Sequence, residues 1–183
     1  MIKPSGCVIN MKKTAVIGVG NILFSDDGVG VYVIRYLREN YIFEPQIELV
    51  DGGTIGFGLF EYFSTYDTVF IVDTISIDDK AGEIYKIPSH ELLTLGGYKK
   101  SAHEVEVLQM LEICELYDKK ADVTIIAVVP TDIATPKIGL SQTIKDVFDG
   151  LINIVTSELE VLGIKAIKKY NFDLSDIIEL KKG

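Results

Sequence analysis

Apolar and polar positions along the chain alternate between two spacings, and the switches between them mark out an α/β domain. Thr14 to Val19 is short, apolar and β-branched, the pattern of a buried strand, and it runs into a glycine turn. Val29, Val33, Tyr36 and Leu37 then recur at helical spacing, with Arg35, Arg38 and Glu39 predicted to face solvent and Ser25 predicted as the N-cap. Ile47 to Val50 reads as a second strand ending in Asp51-Gly52-Gly53-Thr54, and a short aromatic helix follows around Leu59 to Phe63. Thr68 to Val72 is almost wholly apolar, which predicts a central strand covered on both faces and closed by Asp73.

Past this point the pattern predicts a turn at Asp78 to Gly82 and an antiparallel edge strand at Glu83 to Ile87. A glycine-containing loop from Leu92 to Ser101 and a helix from His103 to Leu116 come next. Val123 to Val129 is the last clear strand, and Ser141 to Leu162 is a long amphipathic helix closed by Gly163. Strands alternating with helices, without repeats or long linkers, predict a three-layer α/β/α sandwich. Its sheet is mostly parallel, with about five strands and one antiparallel edge. All 183 residues are read as one domain, with a core over 14–162, a leader over 1–13 and a C-terminal extension over 163–183.

Composition narrows the partners. A chain of 183 residues buries roughly 70% of its unfolded surface, and 48% apolar residues supply the core. The formal charge of -9 opposes nucleic acid and anionic membrane surfaces. No run approaches a spanning length and the first residues lack an apolar signal core, so the expected location is the cytoplasm. Two cysteines, Cys7 and Cys114, are too few for a disulfide framework.

The candidate chemistry starts in Gly18 to Gly30. A dinucleotide turn needs a third small residue for close helix packing and free amides for pyrophosphate. Here the third position is Leu23, and Asp26 and Asp27 stand where phosphate would bind. The strand therefore delivers acid, which suits a metal ion or proton transfer. Asp27, the Gly52-Gly53-Thr54 turn, Asp73 and the Thr131-Asp132 loop all follow the carboxyl ends of expected parallel strands, the edge where such sheets bind ligands. His103 can reach the same rim. Against this stand bland roles: Asp26 and Asp27 as helix-dipole partners, Gly52-Gly53 as a tight turn, His90 as a solvated loop residue.

Taken in order, Gly18-Val19-Gly20-Asn21, Asp26-Asp27-Gly28-Val29-Gly30, Asp51-Gly52-Gly53-Thr54, Ile71-Val72-Asp73 and Ser101-Ala102-His103 closely resemble the hydrogenase maturation endopeptidases. The resemblance spans Thr14 to Leu162. It implies an endopeptidase that removes a C-terminal peptide from the large-subunit precursor of nickel-iron hydrogenase after nickel insertion. It also implies that Asp27, Asp73 and His103 bind the metal; the position of the Gly52-Gly53-Thr54 turn on the same edge places those three residues at the substrate. The nickel is then carried by the substrate, and another divalent ion could stand in its place. Where Asp27 stands, the family often has glutamate.

The residues suit that role on chemical grounds. Two carboxylates and an imidazole accept nickel or zinc, and three protein ligands leave positions for water or a substrate group. Such an ion polarises a scissile carbonyl and acidifies water. No Ser/His/Asp, Cys/His or HExxH set is apparent. The rival readings are a nickel-binding accessory protein without peptidase activity, a Rossmann-like nucleotide binder, and a structural domain with incidental acids.

Overall fold

A computed structural model describes residues 12–54, 56, 58–94, 107, 109–114 and 121–179. Its centre is a five-stranded sheet built from β1 (Thr14–Val19), β3 (Glu48–Gly53), β4 (Thr68–Thr74), β5 (Ile84–Pro88) and β6 (Asp122–Val128). The order is β3-β1-β4-β6-β5; β5 runs antiparallel to β6 and the other pairs are parallel. The expected mostly parallel sheet with one antiparallel edge is therefore present. Every residue of β1 and β4 is buried, as their unbroken apolar character requires of central strands.

Alternation along the strands splits the core into two layers. Val16, Phe70, Val72, Ile126 and Val128 pack against α1 (Val29–Asn40) and the long helix α4 (Gln142–Val161). Ala15, Ile17, Val69, Ile71 and Ile125 face the other way, towards α2 (Leu59–Thr65) and the helical residues 109–114. Helices thus cover both faces, completing the α/β/α sandwich. Among the described residues no helix is long and apolar enough to cross a membrane.

Several local expectations change. Ser25 does not cap α1: Gly28 is its N-cap residue, and Ser25 opens a separate 3-10 turn (Ser25–Gly28) with φ of +48°. Its amide is spent on Lys137 O at 2.8 Å, which binds the turn to a distant loop instead. Asp26 and Asp27 therefore lie in this turn and not in the first turn of α1. Arg35 does not face solvent: its guanidinium pairs with the Asp51 carboxylate at 3.0 Å. Residues 92–94, expected to open a loop, instead belong to a short helix, α3 (Ser89–Thr94), and the rest of that expected loop lies outside the described residues.

The C-terminal stretch is structured beyond the predicted core. Lys165–Lys168 forms β7, which pairs antiparallel with β2 (Tyr41–Glu44) in a ribbon outside the main sheet. A final short helix, α5 (Leu174–Glu179), buries Ile177 against the α1 layer. The proposed leader over 1–13 is described only at Lys12 and Lys13.

Candidate active site at the carboxyl edge of the sheet

Glycines bring the start of α1 down onto the ends of two strands. A Cβ on Gly30 would lie 2.1 Å from Val72 O and 2.4 Å from Val19 O, and one on Gly18 would lie 2.0 Å from Gly30 O. Only hydrogen fits at those contacts. The 3-10 turn is thereby held beside the ends of β1 and β4, and β4 ends with Asp73 and Thr74.

The two acids of the turn have different surroundings. Asp26 is fully buried and accepts three backbone amides: Ser141 N on Oδ1 at 2.6 Å, and Thr131 N and Asp132 N on Oδ2 at 2.9 and 3.2 Å. Its own amide donates to Asp132 O at 3.0 Å. Asp26 thus ties the loop between β6 and α4 to the turn. Asp27 is 6% exposed, and its Oδ2 accepts Asn21 N at 2.9 Å. Asp73 is 3% exposed and its Oδ1 accepts Thr74 N at 2.7 Å. A carboxylate this buried is stable only where amides, cations or ligands meet it.

The same bonds exclude a phosphate cradle. Asn21 N is used by Asp27, Asp26 N by Asp132 O and Asp27 N by Phe24 O, while Gly20 N donates to Gly53 O at 2.8 Å. Amides that a nucleotide would need are committed within the protein, and two carboxylates stand beside them.

The glycine turn after β3 has two separate structural reasons. A Cβ on Gly52 would meet Gly18 O at 2.9 Å, so this residue lets β3 approach β1. Gly53 has φ of +48°, and among the described residues no heavy atom beyond its chain neighbours lies within 4 Å of where its Cβ would be. It is the backbone conformation, and not crowding, that favours glycine there, and the space beside it is open. Thr54 is exposed at the end of the turn.

His103 lies outside the described residues. Among the described residues no group of three His, Cys, Asp or Glu side chains closes into a metal site. His90 is well exposed, as its bland reading held, but it lies in the short helix α3 and not in a loop, 4.0 Å from Glu91. Cys114 is buried, and burial pushes its thiol pKa up, which disfavours a reactive thiolate. Two features were missed by sequence reasoning: the loop-anchoring role of Asp26 and the Arg35 pair that steadies Asp51. The first was legible only as a doubled acid and the second only as a cation within an apolar helix pattern.

Buried carboxylates at the carboxyl edge of a mostly parallel sheet, beside a turn whose amides are committed within the protein, define an α/β protein with an acidic rim at the edge where such sheets bind ligands. The comparisons with known proteins make the class specific. A family model described as hydrogenase maturation protease matches residues 31–158, and the chain belongs to that family. The match begins just past Asp27 and includes Asp73 and His103. The chain is 31% identical over 158 residues to the hydrogenase 2 maturation protease of Escherichia coli, covering 84% of this chain and 94% of that one. Among solved structures it is similar to the hydrogenase maturating endopeptidase HybD from Escherichia coli, with a TM-score of 0.79 and 28% identity over 86% of this chain and 98% of that one. It is also similar to the [NiFe] hydrogenase maturation protease HybD from Thermococcus kodakarensis, with a TM-score of 0.66 and 25% identity over 80% of this chain and 98% of that one. The protein is accordingly a hydrolase of the peptidase kind.

Proposed function

We propose that this peptidase removes the C-terminal peptide of a nickel-iron hydrogenase large-subunit precursor once nickel has been inserted, and that it works in the cytoplasm. The observation that carries the reading is the pair of buried carboxylates, Asp27 and Asp73, at the ligand edge of a hydrogenase maturation protease fold. In this reading the nickel arrives as part of the substrate. Asp27, Asp73 and His103 receive it as two oxygen donors and one nitrogen donor, a set that suits nickel and also accepts zinc or another divalent ion. The bound ion supplies Lewis-acid polarisation of the scissile carbonyl. The chain's own contribution is orientation. Asn21 N fixes one oxygen of Asp27, Thr74 N fixes one oxygen of Asp73, and the open side of Gly53 leaves room for a peptide backbone next to Thr54.

Hydrolysis follows the metal-dependent, aspartate-based route, without a covalent enzyme intermediate. The deciding experiment gives purified precursor, with and without nickel, to the wild-type protein and to Asp27→Asn, Asp73→Asn and His103→Ala. Processing of only the nickel-loaded precursor, lost in each variant, is expected. Full-rate cleavage of nickel-free precursor, or by His103→Ala, would overturn nickel-marked recognition. Nickel binding without any cleavage would favour the accessory-protein reading.

A further inference from the structure

Leu23 occupies the position where a dinucleotide turn has a small residue packed under its helix, yet it does not pack: 55% of it is exposed. Its backbone is nevertheless fixed on both sides. Leu23 N donates to Asn21 Oδ1 at 3.0 Å, and Leu23 O accepts Lys137 N at 2.9 Å. Phe24 and Lys137 form a parallel bridge, and Ser25 N closes it on Lys137 O at 2.8 Å. Immediately beyond Lys137 stands Ile138, 56% exposed. Two large apolar side chains are thus held in water by short segments locked to each other.

Both segments are also locked to the acid pair. Asn21 shares its amide with Asp27, and the loop carrying Ile138 is pinned before and after it by Asp26, through Thr131, Asp132 and Ser141. Single exposed apolar residues are ordinary on protein surfaces. A pair on rigid backbone beside buried carboxylates is a different arrangement, because its distance from the acids cannot drift. Leu23 stands four residues before Asp27, just ahead of the turn that carries it, so the pair borders the acids.

We propose that Leu23 and Ile138 form an apolar ledge that seats an apolar side chain of the substrate polypeptide near the scissile bond. The inference rests on the function proposed above and adds a specificity element to that site. Its partner chemistry is a Leu-, Ile-, Val- or Phe-like residue in an extended or freshly exposed C-terminal segment. Apolar contact suits this position, since its strength is independent of the negative charge of both the rim and the whole chain.

The test measures processing of nickel-loaded precursor by Leu23→Asp, Ile138→Asp and the double variant, with Leu23→Ala and Ile138→Ala as milder controls and Leu23→Met as the conservative rescue. Discrimination by one apolar pocket is worth roughly ten-fold to two-hundred-fold, so the double variant is expected to raise KM at least about ten-fold. Its kcat should stay within about two-fold of wild type and its melting temperature should not change, since both side chains are surface ones. Leu23→Met should restore KM. An unchanged kcat/KM in the double variant, or a loss confined to kcat with a lower melting temperature, overturns the ledge. Calorimetric titration of intact precursor into wild type and double variant separates this inference from the cleavage reading. Failure of the wild type to cleave strikes the proposed function alone, while equal affinities of the two proteins strike the ledge.

Discussion

The carboxylate of Asp26 accepts the amide of Ser141 at 2.6 Å across 115 residues of chain. Ser141 is also the N-cap of α4, where its Oγ accepts Ile144 N. One buried acid thus joins the turn before α1 to the start of α4. The adjacent acid, Asp27, accepts Asn21 N within the turn itself. Neighbouring aspartates of identical chemistry should therefore differ in what they support. Charge-assisted bonds contribute about 1.5 to 3 kcal/mol each, and a truncated partner leaves buried amides unpaired, so Asp26→Ala should lose about 3 kcal/mol or more. Asp27→Asn keeps an oxygen for Asn21 N and should melt close to wild type while losing processing of the precursor. Thermal melts paired with a cleavage assay decide this; equal stability losses at both positions would refute the division.

Two glycines on the same rim offer a contrast between crowding and conformation. At Gly30 a Cβ would collide with the carbonyl oxygens of Val72 and Val19, both backbone atoms of central strands. At Gly53, among the described residues, only the positive φ opposes a side chain. Gly30→Ala should therefore abolish folding or cost more than about 4 kcal/mol, the range reserved for severe core defects. Gly53→Ala should cost about 1 to 2 kcal/mol, the strain of a left-handed residue. Denaturant melts of the two variants check the order. A milder effect at Gly30 than at Gly53 would mean that α1 can lift away from the strands freely.

Most of the architecture was legible because strand periodicity and apolar continuity act locally. Thr68–Thr74 is seven buried residues in a row, and nothing but a central strand suits such a run between two turns. Ile144, Phe148, Leu151, Ile152, Val155 and Leu159 mark the buried stripe of α4 at helical spacing. What escaped prediction depends on partners far away in sequence. Ser25 has the identity of an N-cap, but Lys137 O claims its amide and the chain turns before the helix begins. Arg35 belongs by charge to a solvated face, yet Asp51 draws it inward. The ribbon of β2 and β7 joins segments more than a hundred residues apart, and each strand has only four residues, too short to announce itself by periodicity. At the site, Asp27 and Asp73 could be placed on one edge from strand ends alone. Which acid of the pair is structural could not, since that depends on amides of the loop after β6.

Acid should loosen two loops by the same means. Asp132 has its carboxyl held below the usual range, first by the Thr135 hydroxyl and then by the amides of Ala134 and Thr135. Asp173 is lowered in the same way by the Ser175 hydroxyl and the Asp176 amide. A depressed carboxylate adds stability that is present above the unfolded value, about 4, and is lost as the pH falls through the lower folded value. Amide exchange at Ala134, Thr135 and Asp176 should consequently be slow at pH 7 and accelerate, relative to core amides, below about pH 4. Protection at those three amides that persists unchanged to pH 2 would show that the carboxylates do not hold the loops.

The C-terminal extension should prove part of the fold. Asn40, fully buried at the end of α1, clasps Phe172 with two hydrogen bonds: Phe172 N donates to Oδ1 at 2.8 Å, and Nδ2 donates to Phe172 O at 3.1 Å. Its carbonyl also accepts Lys169 N at 2.8 Å. Beyond this clasp Ile177 is buried against α1, while the β2 and β7 pairing holds the segment from the other side. Asn40→Ala removes both hydrogen bonds to the part-buried Phe172 backbone, and at about 1 kcal/mol for each bond this should cost about 2 kcal/mol. Removing residues 165 to 183 should cost more, because it also uncovers Phe43, Ile164 and the α1 face under Ile177. Neither change touches Asp27, Asp73 or the Gly52-Gly53 turn, so cleavage measured well below the new melting temperature should stay within about three-fold of wild type, as expected of a stability effect remote from the chemistry. A truncated protein that melts like the full chain would show that the extension merely rests on the sandwich. One that melts lower and also loses cleavage at low temperature would show that α1 transmits the loss to the acid pair at its other end.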